Sequence, residues 1–295
     1  MPSTDLIEAY LRERAEADGL APSTLHGYRE ELELLNARQV PLTPEGIAGF
    51  VSNHPDGSPL APNTRNRRLA ILRAFSRWLV RHHHLAKNPT RGLKRAKVPQ
   101  GFTASVGADD LQRVLAALVT RPSGWRRTRD LALVLVPFYT GLRVTELHRL
   151  DTRQVDADAA LLRHAVRKGG STTDVLLHLC AVRVLRAWLG ARPASDEPAL
   201  FIGERGPRLG VRGIQKVYEG LRRDAGLSVR FHPHRLRHAY ATALLGRGVT
   251  LGTIQRLMNH ASIQTTSRYL HADEDMMRAA VALLPDLLGD LCLTE

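Results

Sequence analysis

Apolar residues in the first third of the chain recur at three- and four-residue intervals, in short stretches separated by turn chemistry. The pattern predicts helices near 6–17 and 24–36, a third opened by Thr43-Pro44 and a fourth after Pro62-Asn63. In the fourth, Leu69, Leu72, Phe75 and Leu79 mark a packing stripe. Arg65, Arg67, Arg68, Arg73, Arg77 and Arg81 take other positions, many of them away from that stripe, which leaves a face for solvent or for phosphate. Thr64, Arg67 and Arg68, near the start of this helix, are the candidate DNA contacts, because a helix N-terminus with basic side chains favours phosphate. His82-His83-His84 follows, and adjacent histidines do not converge on one metal as an i, i+4 pair would; surface or phosphate contact suits them better.

Periodicity lapses from Lys87 to Gly101, a basic stretch holding Pro89, Pro99, Gly92 and Gly101 and reading as a connector. Beyond it, Ala108-Asp109-Asp110 starts a helix carrying Leu111, Val114, Leu115 and Leu118, and residues 129–139 form an apolar helix with Pro137 near its end. Segments 161–166 and 175–179 have strand composition and flank Lys168-Gly169-Gly170-Ser171, a hairpin tip. The remainder is again mostly helical, with no internal repeat and no low-complexity tract.

Composition changes the picture in one respect. The 295 residues carry 42 lysines and arginines against 29 acidic residues, a net charge of +13. Such a chain favours a polyanionic partner, although an arginine-rich proteome would produce the same excess. The two cysteines, Cys180 and Cys292, are far apart and form no CxxC pattern, which supports neither a disulfide framework nor a cysteine-based zinc site and suits a reducing cytoplasm. No basic and apolar leader opens the chain, and its longest apolar run is too short to span a bilayer, so no membrane association is expected.

Three segments carry chemistry. Thr140-Gly141-Leu142-Arg143 brings an arginine through a glycine turn to the start of a helix, where it would also serve as an ordinary ion-paired residue. In His232-Pro233-His234-Arg235-Leu236-Arg237-His238, His234 and Arg237 stand at i, i+3 on one helix face; metal binding competes as a reading, but no carboxylate or cysteine ligand accompanies them. The third segment runs from Leu257 through His260 to Tyr269, and a lone tyrosine there would ordinarily be a packing residue.

Together, in this order, the segments resemble the tyrosine recombinase (phage integrase) family, most closely its Xer-like, chromosome-dimer-resolving and integron-like members with a small N-terminal helical domain. Arg143 after the T-G-L turn, Lys168 in the hairpin, His234 and Arg237 in H-x-x-R, then His260 and Tyr269 fill the six family positions. The resemblance runs from about residue 24 to His271. Departures are Arg167 for the glycine that commonly precedes the lysine, a less basic tip over 171–174, and Asn259 for the glycine before the last histidine.

The resemblance implies a mainly α (α+β) fold: a small N-terminal SAM-like helical DNA-binding domain over 1–92, a basic linker over 93–104, and a mixed helical catalytic domain with a small antiparallel sheet over 105–295. It implies that Tyr269 attacks a scissile phosphate to form a 3'-phosphotyrosyl bond. Arg143 and Arg237 would clamp the phosphate, His234 and His260 would donate hydrogen bonds and assist proton transfer, and Lys168 would protonate the leaving 5'-oxygen. Glu146 reads as a partner that orients arginines. No cofactor, metal or nucleoside triphosphate is called for. The expected partner is double-stranded DNA, on which four protomers, alone or with a related recombinase, exchange strands through a Holliday junction. The leucine-rich tail (Leu283, Leu284, Leu287, Leu288, Leu291) docks on a neighbouring protomer or folds back in cis, the neighbour being slightly favoured. A type IB topoisomerase and an idle DNA-binding regulator on the same scaffold are the alternatives.

Overall fold

The computed structural model describes residues 3–98, 106–167, 170–258 and 270–288, with Ser23 and residues 270–275 as backbone alone. The chain divides into two compact units, Met1–Phe102 and Thr103–Glu295.

The first unit is built from α1 (Thr4–Asp18), α2 (Pro22–Ala37), α3 (Pro44–Ser52) and α4 (Pro62–Arg81). Local signals set their ends. The Ser3 hydroxyl accepts the Leu6 N–H at 3.3 Å, Thr43 accepts that of Gly46 at 3.2 Å, and prolines occupy the first turns of α2, α3 and α4. One apolar stripe from each helix meets in a core that includes Ile7, Tyr10, Leu32, Leu35, Ile47, Leu69, Leu72 and Phe75. Removing each such side chain from water contributes about 1.5–3 kcal/mol. Residues 93–98, expected within the linker, are tied to α4. Asn66 donates to the Ala96 carbonyl at 3.0 Å and accepts the Ala96 N–H at 2.8 Å, and Arg73 donates to the Leu93 carbonyl.

The second unit carries α5 (Ala108–Thr120), α6 (Trp125–Thr140), α7 (Val144–His148), β1 (Val155–Asp156), β2 (Leu161–Val166), β3 (Thr172–Leu176), α8 (Leu179–Ala191), α9 (Val211–Asp224), α10 (Pro233–Leu245), α11 (Leu251–Leu257) and α12 (Leu270–Ala282). Every residue of α6 from Arg129 to Thr140 is buried, so this helix is the spine against which α5, α8 and α10 pack. The sheet is antiparallel in the order β1-β2-β3, with Leu161 opposite Leu176 and Ala165 opposite Thr173. A bulge separates Leu162 from Ala165, where His164 takes a left-handed φ of 49°. The second hairpin strand lies at Thr172–Leu176 and not at 175–179, because His178 caps α8, its ring nitrogen accepting the Cys180 N–H at 3.1 Å.

Through Leu288 the tail folds back on its own chain. The Tyr139 hydroxyl donates to the Pro285 carbonyl at 2.8 Å and accepts the Leu287 N–H at 2.9 Å, while Leu284 and Leu288 are buried. The described part of the tail thus packs in cis, one of the two expected courses, with Leu283 exposed; Leu291 lies outside the described residues. Among the described residues no helix is long and apolar enough to cross a membrane.

Candidate active site

The site begins at a turn that only glycine fits. α6 ends at Gly141, which takes φ +62°, and its N–H reaches the Pro137 carbonyl at 2.9 Å. A Cβ there would stand 2.8 Å from the Tyr240 ring. The turn delivers Arg143 as the residue before α7, and Glu146, in the first turn of that helix, reaches back to it. Glu146 Oε2 accepts the Arg143 backbone N–H at 2.8 Å, as in half of a capping box, and Oε1 accepts Arg143 Nη1 at 2.9 Å.

Glu146 is 2% exposed and also accepts Arg167 Nη1 at 3.3 Å. Burial works to raise its carboxyl, yet the bonds and charges of Arg143 and Arg167 prevail and hold it below the ordinary carboxylate range, so it is ionised at neutral pH. It therefore orients arginines and carries no proton to transfer.

α10 supplies the facing side. Pro233 occupies its first turn, and His234, Arg237 and Tyr240 follow at three-residue intervals along one stripe. His234 is exposed, whereas Arg237 is buried. The Arg237 fork donates through Nη1 to the Gly141 carbonyl and through Nη2 to the Met258 carbonyl at 2.9 Å. One side chain thus ties the turn ahead of Arg143 to the end of α11. Burial and the neighbouring Arg143 lower Arg237 to about 10, which leaves it protonated at neutral pH. Arg143 also bears on His234, which is lowered first by partial desolvation of the ring, although the residue is largely exposed, and then by His238, Arg237 and Arg143; its ring is mostly neutral at pH 7.

Arg143, His234 and Arg237 are therefore brought together. Lys168, His260 and Tyr269 lie outside the described residues. Arg143 and Arg167 share one carboxylate, and among the described residues Arg237 has no ion-pair partner. The cluster holds more buried positive charge than it neutralises, an arrangement that an anion completes. Among the described residues no group of three or more histidines, cysteines and acids is placed to hold a metal. Sequence reasoning did not assign Arg167 or Tyr240 to the cluster. Alternation gave a signal for the first, since Arg167 lies two residues after buried Ala165; Tyr240 continues the spacing of His234 and Arg237.

In the first unit the candidate DNA contacts separate. Thr64 is half-buried, and Arg67 is exposed, with Nη1 3.6 Å from Glu31. Arg68 is 6% exposed: Nε donates to Glu31 at 2.8 Å, Nη1 donates to the Phe50 carbonyl at 3.1 Å, and the guanidinium stacks over the Phe50 ring. Its expected DNA contact is corrected, because the side chain is buried and its Nε, Nη1 and one face are taken up inside the helical core.

A model of the phage integrase family matches residues 105–276. Tyrosine recombinase XerC of Haemophilus ducreyi is 32% identical over 263 residues, covering 86% of this chain and 85% of that protein. Among solved structures, the Tn1549 transposon integrase in complex with a circular intermediate DNA superposes with a TM-score of 0.71 at 13% identity, covering 92% of this chain and 98% of that one. A lambda integrase tetramer bound to a Holliday junction gives 0.66 at 20% identity, covering 90% and 79%. The solved structures share the fold, and the family model over residues 105–276 together with the XerC relative establishes that the chain belongs to the phage integrase family, as a XerC-like tyrosine recombinase.

Proposed function

We propose that this recombinase cleaves and rejoins double-stranded DNA through a phosphotyrosyl bond at Tyr269, exchanging strands between two sites via a Holliday junction. The observation that carries the reading is the convergence of Arg143 and Arg237 on the Gly141 turn, with His234 close enough to feel both charges. Guanidiniums remain protonated and present planar donor forks, which suits the non-bridging oxygens of a phosphate as charge builds on them.

In the proposed step the Tyr269 oxygen forms a bond to phosphorus as the bond to the 5'-oxygen breaks. The tyrosine proton leaves with help from His234 or His260, and the departing oxygen takes a proton from Lys168. The phosphodiester energy stays in the tyrosyl bond, so a 5'-hydroxyl from the partner strand reverses the attack without nucleoside triphosphate. Arg237 holds Met258, two residues before His260, which supports a shared frame for the clamp and the final motif.

The first unit, with Arg67 and the half-buried Thr64 near the start of α4, is proposed to grip the DNA core, and the second to carry the chemistry. Assembly of four protomers, alike or mixed with a related recombinase, is supported by the lambda integrase tetramer on a Holliday junction. The cytoplasm is the proposed compartment, where the DNA substrate lies.

The test is a plasmid bearing two copies of a duplex selected for binding from a random-sequence library. Exchange of the segment between the sites is expected. Relaxation without exchange would point to topoisomerase chemistry, and binding without breakage to an idle scaffold; either overturns the reading.

A further inference from the structure

Position 167 is where the hairpin departs from the family pattern, and it is also where the structure buries a charge. Arg167 is 3% exposed. Its backbone closes the turn: its N–H reaches the Ser171 carbonyl at 2.8 Å, and its carbonyl accepts the Gly170 N–H at 3.1 Å. Its side chain fastens the same turn in two directions, through Nε to Thr173 Oγ1 at 3.0 Å on β3 and through Nη1 to Glu146 Oε2 at 3.3 Å on α7. Glu146 is in turn the carboxylate that orients Arg143.

A hairpin turn does not require a buried guanidinium, and desolvating one is costly unless its partners are well placed. A glycine at this position would close the turn equally well and would leave it unattached to α7. The arginine therefore adds a connection between the hairpin and the element that presents Arg143.

We infer that Arg167 is a positioning residue, which fastens the described ends of the β2–β3 hairpin to the Arg143–Glu146 pair and by that anchorage serves protonation of the leaving oxygen, the role proposed for the next residue in sequence, Lys168. The inference rests on the reading of Lys168 as the proton donor, and it concerns Arg167 acting through Lys168, not contact of Arg167 with DNA.

Leaving-group chemistry supplies the test. A nicked duplex selected from a random-sequence library is prepared twice, once with the ordinary 5'-bridging oxygen and once with sulfur there, because a thiolate departs without being protonated. Covalent adduct formation is timed for the full-length wild type, Arg167→Met and Lys168→Ala. On the oxygen duplex, Arg167→Met is expected to be slowed by about 10- to 100-fold, the scale of a small misplacement of a reacting group. On the sulfur duplex it is expected to come within about threefold of wild type, as for Lys168→Ala, because general-acid help is no longer needed.

Should Arg167→Met not fold, Arg167→Lys keeps the charge without the fork and is expected to show the same rescue by sulfur. Equal slowing on both duplexes would place the effect elsewhere in the site and overturn the inference. A variant as fast as wild type on oxygen would overturn it too, leaving the tyrosyl reading intact. No wild-type adduct on either duplex would remove that reading and the inference with it.

Discussion

Two buried arginine sites in this chain are built to opposite ends. In the first unit Arg68 meets Glu31 at 2.8 Å, the Phe50 carbonyl at 3.1 Å and the Phe50 ring, so one buried guanidinium faces one buried carboxylate, and the second arginine near that acid, Arg67 at 3.6 Å, is exposed. In the second unit Arg143 and Arg167 divide a single carboxylate, Glu146, and Arg237 is held by the carbonyls of Gly141 and Met258. Carbonyl dipoles orient a guanidinium without cancelling its charge. The first site is a structural ion pair, and the second holds more positive charge than it neutralises, which suits the proposed role of receiving an anion.

Substitutions should separate the two kinds of site, beginning with the largest effect. Arg143→Ala is expected to slow adduct formation on a nicked duplex by about 10²- to 10³-fold, as for removal of one donor to a transition-state oxyanion. Its melting temperature should move little, since this side chain is partly exposed. Arg68→Ala should do the reverse. Chemical denaturation should show a loss of about 3–5 kcal/mol, because Glu31 is left buried without its main partner. The chemical step, measured on the folded fraction, should stay near wild type. A large stability loss for Arg143→Ala or a large chemical loss for Arg68→Ala would erase the distinction.

Glu146→Gln sharpens the comparison through pH. At neutral pH the variant should be destabilised by about 3 kcal/mol relative to wild type, by denaturation, since two guanidiniums lose their carboxylate. The folded carboxyl lies below its unfolded value, so its contribution is present above the ordinary carboxylate range and is lost as pH falls through the folded value. The gap between wild type and variant should therefore narrow below about pH 4. A gap constant down to acid pH would show that the carboxylate charge is not what stabilises the cluster.

Gly141→Ala should cost about 1–3 kcal/mol in the same measurement, from the left-handed backbone and the Tyr240 ring, and should slow cleavage by displacing Arg143. The smallest effect belongs to Arg67→Ala. Stability should change by under about 0.5 kcal/mol, and the salt dependence of DNA binding should fall by about one phosphate contact. No change in the salt slope would remove Arg67 from the DNA surface.

Much of the fold was legible because it rests on local signals. Prolines, Ser3, Thr43 and the 161–166 strand composition lie where helices and a strand begin. Arg68 was misread because arginine is usually a surface residue. Its spacing told otherwise: Arg68 stands at i, i+4, i+7 and i+11 with Leu72, Phe75 and Leu79, on the packing stripe itself. Arg143, His234 and Arg237 were legible because the motif order marks them. The role of Glu146 as orienting partner was also within reach, since the first turn of a helix favours an acid that can reach back. The connection from Arg167 to Glu146 was not legible, because it joins residues 21 apart through a tertiary contact that no local period encodes. The in-cis course of the tail to Leu288 depends likewise on Tyr139, which lies 146 residues from its acceptor, Pro285.

The central claim is that Tyr269 is the atom-by-atom point of attachment to DNA. The most direct measurement digests the wild-type adduct with trypsin and sequences the DNA-linked peptide by mass spectrometry, with Tyr269→Phe run in parallel. Cleavage after Arg268 and Arg278 isolates Tyr269 from the other tyrosines of the chain. The account predicts a phosphotyrosyl linkage at Tyr269 and no adduct from Tyr269→Phe. A linkage at any other residue, or an adduct that survives in the variant, would contradict it.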